Sequence, residues 1–134
     1  MALLNKETGE LTFSDGLRLG AGLAMGELAE RLNGRMDAVV RLESHEVAGG
    51  RLIPVCTVMG GALQSVSVTI SSVAGRPCRK AEKQRAFLFA KLDLRDPCAD
   101  TLENVRIECP FGELFLSSDP VTGRAEARIL YAVR

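Results

Sequence analysis

The cationic residues near the middle of the chain are the strongest candidates for binding chemistry. Five of them fall within ten positions: Arg76, Arg79, Lys80, Lys83 and Arg85. Arginine and lysine side chains bind carboxylates and phosphates. Positive charge at the start of a helix opposes the helix dipole, so helix stability does not explain this run. The run predicts a surface for an acidic protein partner, with a phosphate backbone as an alternative and a solvated helix face as the plainest explanation.

The histidine content limits catalysis and metal binding. His45 is the only histidine, so histidine pairs and histidine-rich proton relays are excluded. A Cys–His or Ser–His couple stays conceivable, because the partner residue can be distant in the sequence. His45 lies between Ser44 and Glu46 in a strand that we expect to face water. We therefore interpret it as a surface histidine that is suited to ion pairs.

The cysteines are too far apart for a zinc site, which normally uses two short-spaced pairs of ligands. They are Cys56, Cys78, Cys98 and Cys109. A disulfide framework would require export from the reducing cytosol. The segment MALLNKETGE does not resemble a signal peptide, because it has no basic start followed by a long apolar run. No stretch reaches the roughly 20 apolar residues of a membrane span. The sequence predicts a soluble, cytoplasmic protein with free thiols and without a metal or cofactor.

Three segments resemble ligand loops, and each is better explained by chain geometry. GAGLAMG, residues 20–26, places its third glycine one position too late for a dinucleotide fingerprint and leads into hairpins. LDLRDPCAD, residues 92–100, fits no cation-loop template and contains an arginine and a helix-ending proline. DPVTG, residues 119–123, has one carboxylate, a proline and a glycine in the order that closes a hairpin. We interpret all three as turns or solvated loops.

Length and composition predict one globular domain, residues 1–134. A chain of this length can bury a core without metals or disulfides. The formal net charge is zero, with 17 basic and 17 acidic residues. Proteins that grip nucleic acid over a broad face usually carry a basic excess, and RNA binding uses stacked aromatic rings. The chain has one tyrosine and no tryptophan. Nucleic acid is therefore a disfavoured partner.

The first third of the chain predicts two short strands and a short helix. Residues 3–12 and 17–19 are strand candidates joined by a Ser-Asp-Gly turn. Positions 25, 28, 29 and 32 are apolar at helical spacing, and Asn33-Gly34 is typical of a helix end. This pattern predicts a helix at about 24–32.

A meander of three antiparallel strands follows, at residues 39–47, 51–59 and 62–72. Gly60-Gly61 is a hairpin signal between the second and third strands. Pro54 has no N–H to donate, so it predicts that the early part of the second strand lies at a sheet margin.

The second half predicts the main helix and two strands. CRKAEKQRAFLFAKLDL gives a helix at about 78–93, with Pro77 in its first turn and an apolar stripe that also includes Gln84 or Arg85. Residues 105–116 alternate as a strand whose phase changes near Pro110, which indicates a bulge or bend. Residues 124–133 alternate with period two, which favours a strand over a helix. The order β-β-α-β-β-β-α-β-β predicts an α+β fold: an antiparallel sheet of six to seven strands with one long and one short helix on one face.

Three segments resemble a group of small uncharacterised bacterial proteins: TGELTFSDGLRLGAGLAMGEL, GGALQSVSVTI and FGELFLSSDPVTGRAEARILY. The chain departs from that group in lacking tryptophan and in its more basic main helix. The resemblance implies no activity, but small proteins of this kind are often immunity or partner proteins of a larger one. That is an association between proteins and not a physical inference.

The sequence as a whole favours a non-enzymatic protein-binding module, of the immunity or inhibitor type, that contacts its partner through the basic run. A small-ligand or nucleic-acid binder that uses the basic start of the main helix is the alternative. A hydrolase that uses His45 or a cysteine is the least favoured hypothesis. Exposed sheet edges also make a homodimer an expectation.

Overall fold

A computed structural model of the protein describes residues 3–132. This part of the chain forms ten strands and two helices. The strands are β1 (Leu11–Thr12), β2 (Arg18–Leu19), β3 (Gly22–Leu23), β4 (Ala38–Arg41), β5 (His45–Val47), β6 (Gly50–Met59), β7 (Ala62–Val73), β8 (Val105–Cys109), β9 (Gly112–Asp119) and β10 (Arg124–Tyr131), and the helices are α1 (Gly26–Leu32) and α2 (Ala81–Lys91). The predicted α+β class is confirmed. Three more strands are present than predicted, because two predicted strands are each divided and β3 was not foreseen.

All strands except β1 and β2 belong to one antiparallel sheet with the path β4-β6-β7-β10-β9-β8. β3 pairs with β7, and β5 pairs with β6, beside this path. β1 and β2 form a separate two-stranded sheet. β10 lies inside the path although it follows every other described strand along the chain.

The predicted meander is confirmed, with a change at its outer edge. Gly60 and Gly61 both have positive φ and close the hairpin between β6 and β7. The predicted strand 39–47 is divided into β4 and β5, and the break lies opposite Pro54. The Pro54 carbonyl accepts the N–H of Leu42 at 2.9 Å, but its ring nitrogen has no hydrogen to return. The ladder is therefore interrupted at this point. The prediction that the early part of this strand lies at a sheet margin is wrong, because residues 50–52 pair with β5 on one side and with β7 on the other.

The bulge predicted near Pro110 is wrong. Cys109 pairs with Gly112 across a two-residue loop, so the chain reverses completely and forms a hairpin of β8 and β9. The phase change in the alternation arises because two strands run in opposite directions. Residues 124–131 form β10, which confirms the strand prediction there, and residue 133 lies outside the described residues.

The main helix begins later than predicted. α2 starts after Lys80, and Pro77 therefore lies in the irregular segment before the helix and not in its first turn. At the other end, Asp93 adopts a left-handed conformation with φ 55°, and the Leu94 N–H reaches the Phe89 carbonyl at 2.9 Å. This closing pattern is the Schellman motif.

The buried side chains form one core between a single face of the sheet and the layer of α1, α2 and the β1–β2 hairpin. In β10 this face carries Ala125, Ala127, Ile129 and Tyr131. The Tyr131 hydroxyl donates to the Gly9 carbonyl at 2.7 Å and so joins the last strand to the first turn. No helix of the described chain covers the opposite face of the sheet. Within residues 3–132, neither helix has the length and apolar character needed to cross a membrane.

Candidate anion-binding groove

A groove of about 640 Å³ opens where β7 and β10 separate. Pairing of the two strands ends at Thr69 and Glu126, and β7 continues to Val73 without β10 beside it. The segment 77–79, which leads into α2, borders the opening. The groove therefore lies at a split in the sheet, with an irregular segment along one side.

Three arginines from distant parts of the chain line this groove. Arg41 comes from β4, Arg79 from the segment before α2, and Arg124 from the first position of β10. We call this set the arginine groove. None of the groove's described lining residues is acidic. Within residues 3–132, these three side chains form no ion pair.

Several arginines elsewhere in the described chain do have carboxylate partners. Examples are Arg18 with Glu10, Arg85 with Asp96, and Arg106 with Glu113. The arginine groove is thus a local excess of positive charge in a protein whose formal net charge is zero. Such a concave, single-sign site attracts anions.

The rest of the lining is suited to a ligand with both polar and apolar parts. Hydroxyl groups come from Thr69, Ser71 and Thr122. The half-buried side chains of Ile53 and Val55 provide an apolar wall on the open face of the sheet. Arginine beside apolar surface is a combination that recurs at protein interfaces.

Gln84 fixes the segment that carries Arg79. Its side chain is buried, and its Nε2 donates to the Cys78 carbonyl at 2.6 Å. Its Oε1 accepts the Ala125 N–H at 2.9 Å, at the start of β10. One buried amide therefore binds both sides of the groove, and it holds Arg79 and Arg124 on elements that are locked together.

The turn at residues 119–123 packs against the same segment. The Asp119 carboxylate accepts the Val121 N–H at 2.9 Å, and Gly123 has φ +73°. These contacts confirm a hairpin corner. A Cβ at position 123 would overlap the Arg79 carbonyl oxygen, so only glycine lets the turn approach this closely. The turn is not itself a ligand loop, but it helps to place Arg79 beside Arg124.

The predicted basic run is divided among different environments. Arg79 lines the groove, whereas Arg76, Lys80 and Lys83 are exposed outside its lining. Arg85 does not belong to an exposed surface, because its side chain is only 2% exposed. This burial corrects the expectation that all five side chains lie on one partner-binding surface.

Arg85 instead joins α2 to the loop that follows it and to β9. Its guanidinium binds both oxygens of Asp96, at 2.5 and 2.9 Å, and donates to the Ser118 hydroxyl at 3.2 Å. It also lies over the Phe89 ring, 5.3 Å from the centroid. The Arg85 hydrogen bonds lower the pKa of Asp96, against the opposing effect of burial. Within the acidic stretch 92–100, Asp96 therefore belongs to a structural ion pair.

No protein-family model matches this chain. No curated protein or solved structure matches it at a significant level either. The resemblance to small bacterial proteins therefore stays a prediction, and a functional argument has to rest on the groove and the surfaces around it.

The interpretation of His45 as a surface histidine is wrong. Its side chain is 14% exposed and lies beside the Phe13 ring. Its Nδ1 is 3.0 Å from both Asp15 oxygens. Its Nε2 lies 3.2 Å from a Glu27 oxygen but finds no aligned hydrogen-bond acceptor among the described residues. The carboxylates around His45 come from other elements, which the sequence neighbours could not indicate.

Burial acts to raise the pKa of Asp15, but four favourable interactions outweigh it. The Glu46 N–H, the His45 hydrogen bond, the His45 charge and the Leu17 N–H together hold this pKa below its ordinary value. Asp15 therefore stays ionised where it joins the β1–β2 turn to β5.

All four cysteines are free, as the sequence predicts. Burial, and then the charge of Glu27, raises the pKa of the Cys56 thiol to about 12. Burial also raises the pKa of Cys98, with a contribution from Glu103, and that of Cys109. Thiols with a raised pKa are poor nucleophiles at neutral pH. No cluster of potential metal ligands occurs in residues 3–132.

Proposed function

We propose that this protein is a non-enzymatic, protein-binding module whose arginine groove receives an acidic segment of a partner. The observation that carries the proposal is the convergence of Arg41, Arg79 and Arg124 on one groove without a lining carboxylate. Guanidinium groups bind carboxylates through paired hydrogen bonds, and three of them together favour a polyanionic occupant.

A protein partner is favoured over nucleic acid by the surroundings of the groove. Ile53 and Val55 lead from the groove onto the open face of the sheet, where Val39 is also exposed. None of the described residues that line the groove is aromatic, so a base has no ring to stack on there. The formal net charge of the protein is zero, so it does not have the broad basic surface that is typical of a nucleic-acid binder. An immunity or inhibitor-type factor is one role that would use such a partner, and it is a role associated with small proteins of the kind that this chain resembles.

A cytoplasmic location belongs to the same proposal. Four unpaired thiols support it, because such thiols persist in a reducing compartment and tend to be oxidised outside it.

The volume of the groove favours a second candidate, a small anionic molecule. Its approximately 640 Å³ is within the range of ordinary small-molecule sites. Three arginines and three hydroxyl groups match the chemistry of a phosphorylated or multiply carboxylated metabolite.

Charge reversal with a matched control tests the proposal. Arg79→Glu/Arg124→Glu changes two groove residues, and Lys83→Glu/Arg95→Glu makes the same net change at exposed positions outside the lining. Each variant and the natural protein are used to capture partners from the source cell, with quantitative mass spectrometry. We expect one stoichiometric partner that the groove variant loses and the control retains.

Direct binding separates the candidates. The probes are a glutamate-rich peptide, inorganic phosphate, citrate and polyuridylate, each titrated at low and moderate salt. Groove-dependent binding of the peptide that weakens with salt supports the proposal. Binding of phosphate or citrate without the peptide favours the second candidate. Groove-dependent retention of polyuridylate, or equal partner capture by both double variants, would refute a protein-binding groove.

A further inference from the structure

The outer edge of β8 has the features of a pairing surface. β8 is the last strand on one side of the sheet path and reads Val105-Arg106-Ile107-Glu108-Cys109. An edge strand presents unpaired backbone donors and acceptors that can pair with another strand. Arg106 and Glu108 are exposed, whereas Ile107 and Cys109 pack partly against the core.

The hairpin fixes which backbone groups of β8 point outward. Residues that flank a two-residue loop exchange hydrogen bonds with each other, and such pairs alternate along an antiparallel ladder. Cys109 flanks the loop opposite Gly112, so Cys109, Ile107 and Val105 direct their backbone groups toward β9. The N–H and C=O groups of Arg106 and Glu108 therefore point away from the sheet. Among the described residues, none forms a hydrogen bond with these outward groups.

Among two-fold axes at the three inner residues of β8, only one gives a register that is free of a like-charge clash or a missing donor. A two-fold axis at Arg106 would place two arginines opposite each other, and an axis at Glu108 would oppose two glutamates. The axis at Glu108 would also place Arg106 opposite Pro110, which has no N–H. An axis at Ile107 places each Arg106 opposite the Glu108 of the other copy, with their outward backbone groups facing.

Charges within one copy favour the same arrangement. Glu108 lies directly across from Glu113 on β9, a like-charge pair. Arg106 binds Glu113 through its Nε at 3.1 Å, which leaves its terminal nitrogens available. A second copy would bring its Arg106 to Glu108, which in the single copy lies opposite Glu113.

The opposite edge of the sheet is less suited to pairing. It is divided into β4 and β5, and the Arg31 side chain donates to the Arg41 carbonyl at 2.9 Å. That contact occupies a backbone acceptor on the short β4 strand. β8 is continuous over its five residues.

We propose that two copies of this chain pair through β8, antiparallel about a two-fold axis at Ile107, to form one continuous sheet. Each copy contributes Arg106 and Glu108, so the interface contains two cross-copy ion pairs. The outward N–H and C=O groups of these residues form about four backbone hydrogen bonds between the copies, as in an ordinary antiparallel ladder. The contact is small, so the dimer depends on concentration.

Sedimentation velocity measures the dimer from about 5 μM to about 500 μM. We expect the natural protein to shift from monomer to dimer in this range. Arg106→Glu places glutamates opposite glutamates, and Glu108→Arg places arginines opposite arginines. Each variant alone should dimerise at least about tenfold more weakly than the natural protein. An equimolar mixture of the two should form a heterodimer, because every cross-copy pair is again of opposite charge.

The double exchange Arg106→Glu/Glu108→Arg restores self-complementarity and should dimerise like the natural protein. If circular dichroism shows that a single variant has not folded, the double exchange still tests the proposed pairing of β8. A natural protein that stays monomeric at the highest concentration overturns the proposal. A folded double exchange that is monomeric, single variants that dimerise normally, or a mixture without heterodimer does so as well.

Discussion

The sharpest stability prediction concerns the ion pair of Arg85 and Asp96. Arg85→Met keeps the length and the apolar part of the side chain, but it removes both hydrogen bonds to Asp96 and the one to Ser118. Asp96 then keeps only the Cys98 N–H, at 2.9 Å, as a described hydrogen-bond donor.

The expected loss follows from the burial of the two partners. Removing one partner of a buried ion pair costs about 3–5 kcal/mol, because the other charge stays without compensation. The Asp96 side chain is 13% exposed and can gain some hydration, so we expect a value near the lower end, about 3 kcal/mol. That corresponds to roughly 100-fold in the unfolding equilibrium. For a chain of this size the melting temperature should fall by about 10 °C.

The loss should also depend on pH. The pKa of Asp96 in the folded protein is below the ordinary 3.8, chiefly because of its hydrogen bonds with Arg85. A lowered carboxyl pKa stabilises the folded state above the unfolded value, and this contribution disappears as the pH falls through the folded pKa. The difference between the natural protein and Arg85→Met should therefore be full at pH 7 and shrink below pH 3.8.

Urea unfolding followed by circular dichroism at pH 7 and near pH 3 measures both effects. Lys83→Met is the matched control, since it removes an exposed cation from the same helix and should change stability by less than about 0.5 kcal/mol. If Arg85→Met unfolds at the same urea concentration as this control, the ion pair does not stabilise the fold.

Two further predictions concern a turn and a thiol. Ala74 is exposed and has φ +51°, a conformation that alanine adopts at a cost, so Ala74→Gly should stabilise the protein by up to about 1 kcal/mol in urea unfolding. A lower stability would refute this reading of the turn. Cys56 is buried and the pKa of its thiol is about 12, so it should react with a disulfide reagent at pH 8 only when the protein unfolds. Cys78 is half-buried at the groove and should react first. If the folded natural protein has a fast-reacting thiol that is missing from Cys56→Ala, Cys56 is not buried.

Local patterns in the sequence predicted the elements whose determinants are local. The alternation at 62–72 and 124–131, and the paired glycines at 60–61, each specify a strand or a turn by themselves. The division of the strand predicted at 105–116 was missed because hairpin reversal at Pro110 and a bulge there leave the same phase change in the sequence. The irregular segment before α2 is held by Gln84, which binds the Cys78 carbonyl and also the N–H of Ala125, 41 residues away along the chain, so a local pattern could not indicate it.

The sequence predicted only part of the candidate site. The basic run drew attention to Arg79, but Arg41 and Arg124 join it through strand order, which leaves no short-range signal. Burial of Arg85 did have a signal. The apolar stripe of the main helix passes through Gln84 or Arg85, and a cation on such a stripe indicates a buried ion pair as readily as a surface.

The place of β10 in the sheet has a consequence for how the protein is made. During synthesis β10 is the last described strand to leave the ribosome, yet it lies between β7 and β9. Until it arrives, the strands up to β7 and the hairpin of β8 and β9 are separate fragments, each with an unsatisfied edge. The central hydrogen bonds join residues far apart in sequence, so closure is slow compared with hairpin formation. Nascent or truncated chains that lack β10 are therefore where misfolding and aggregation should concentrate.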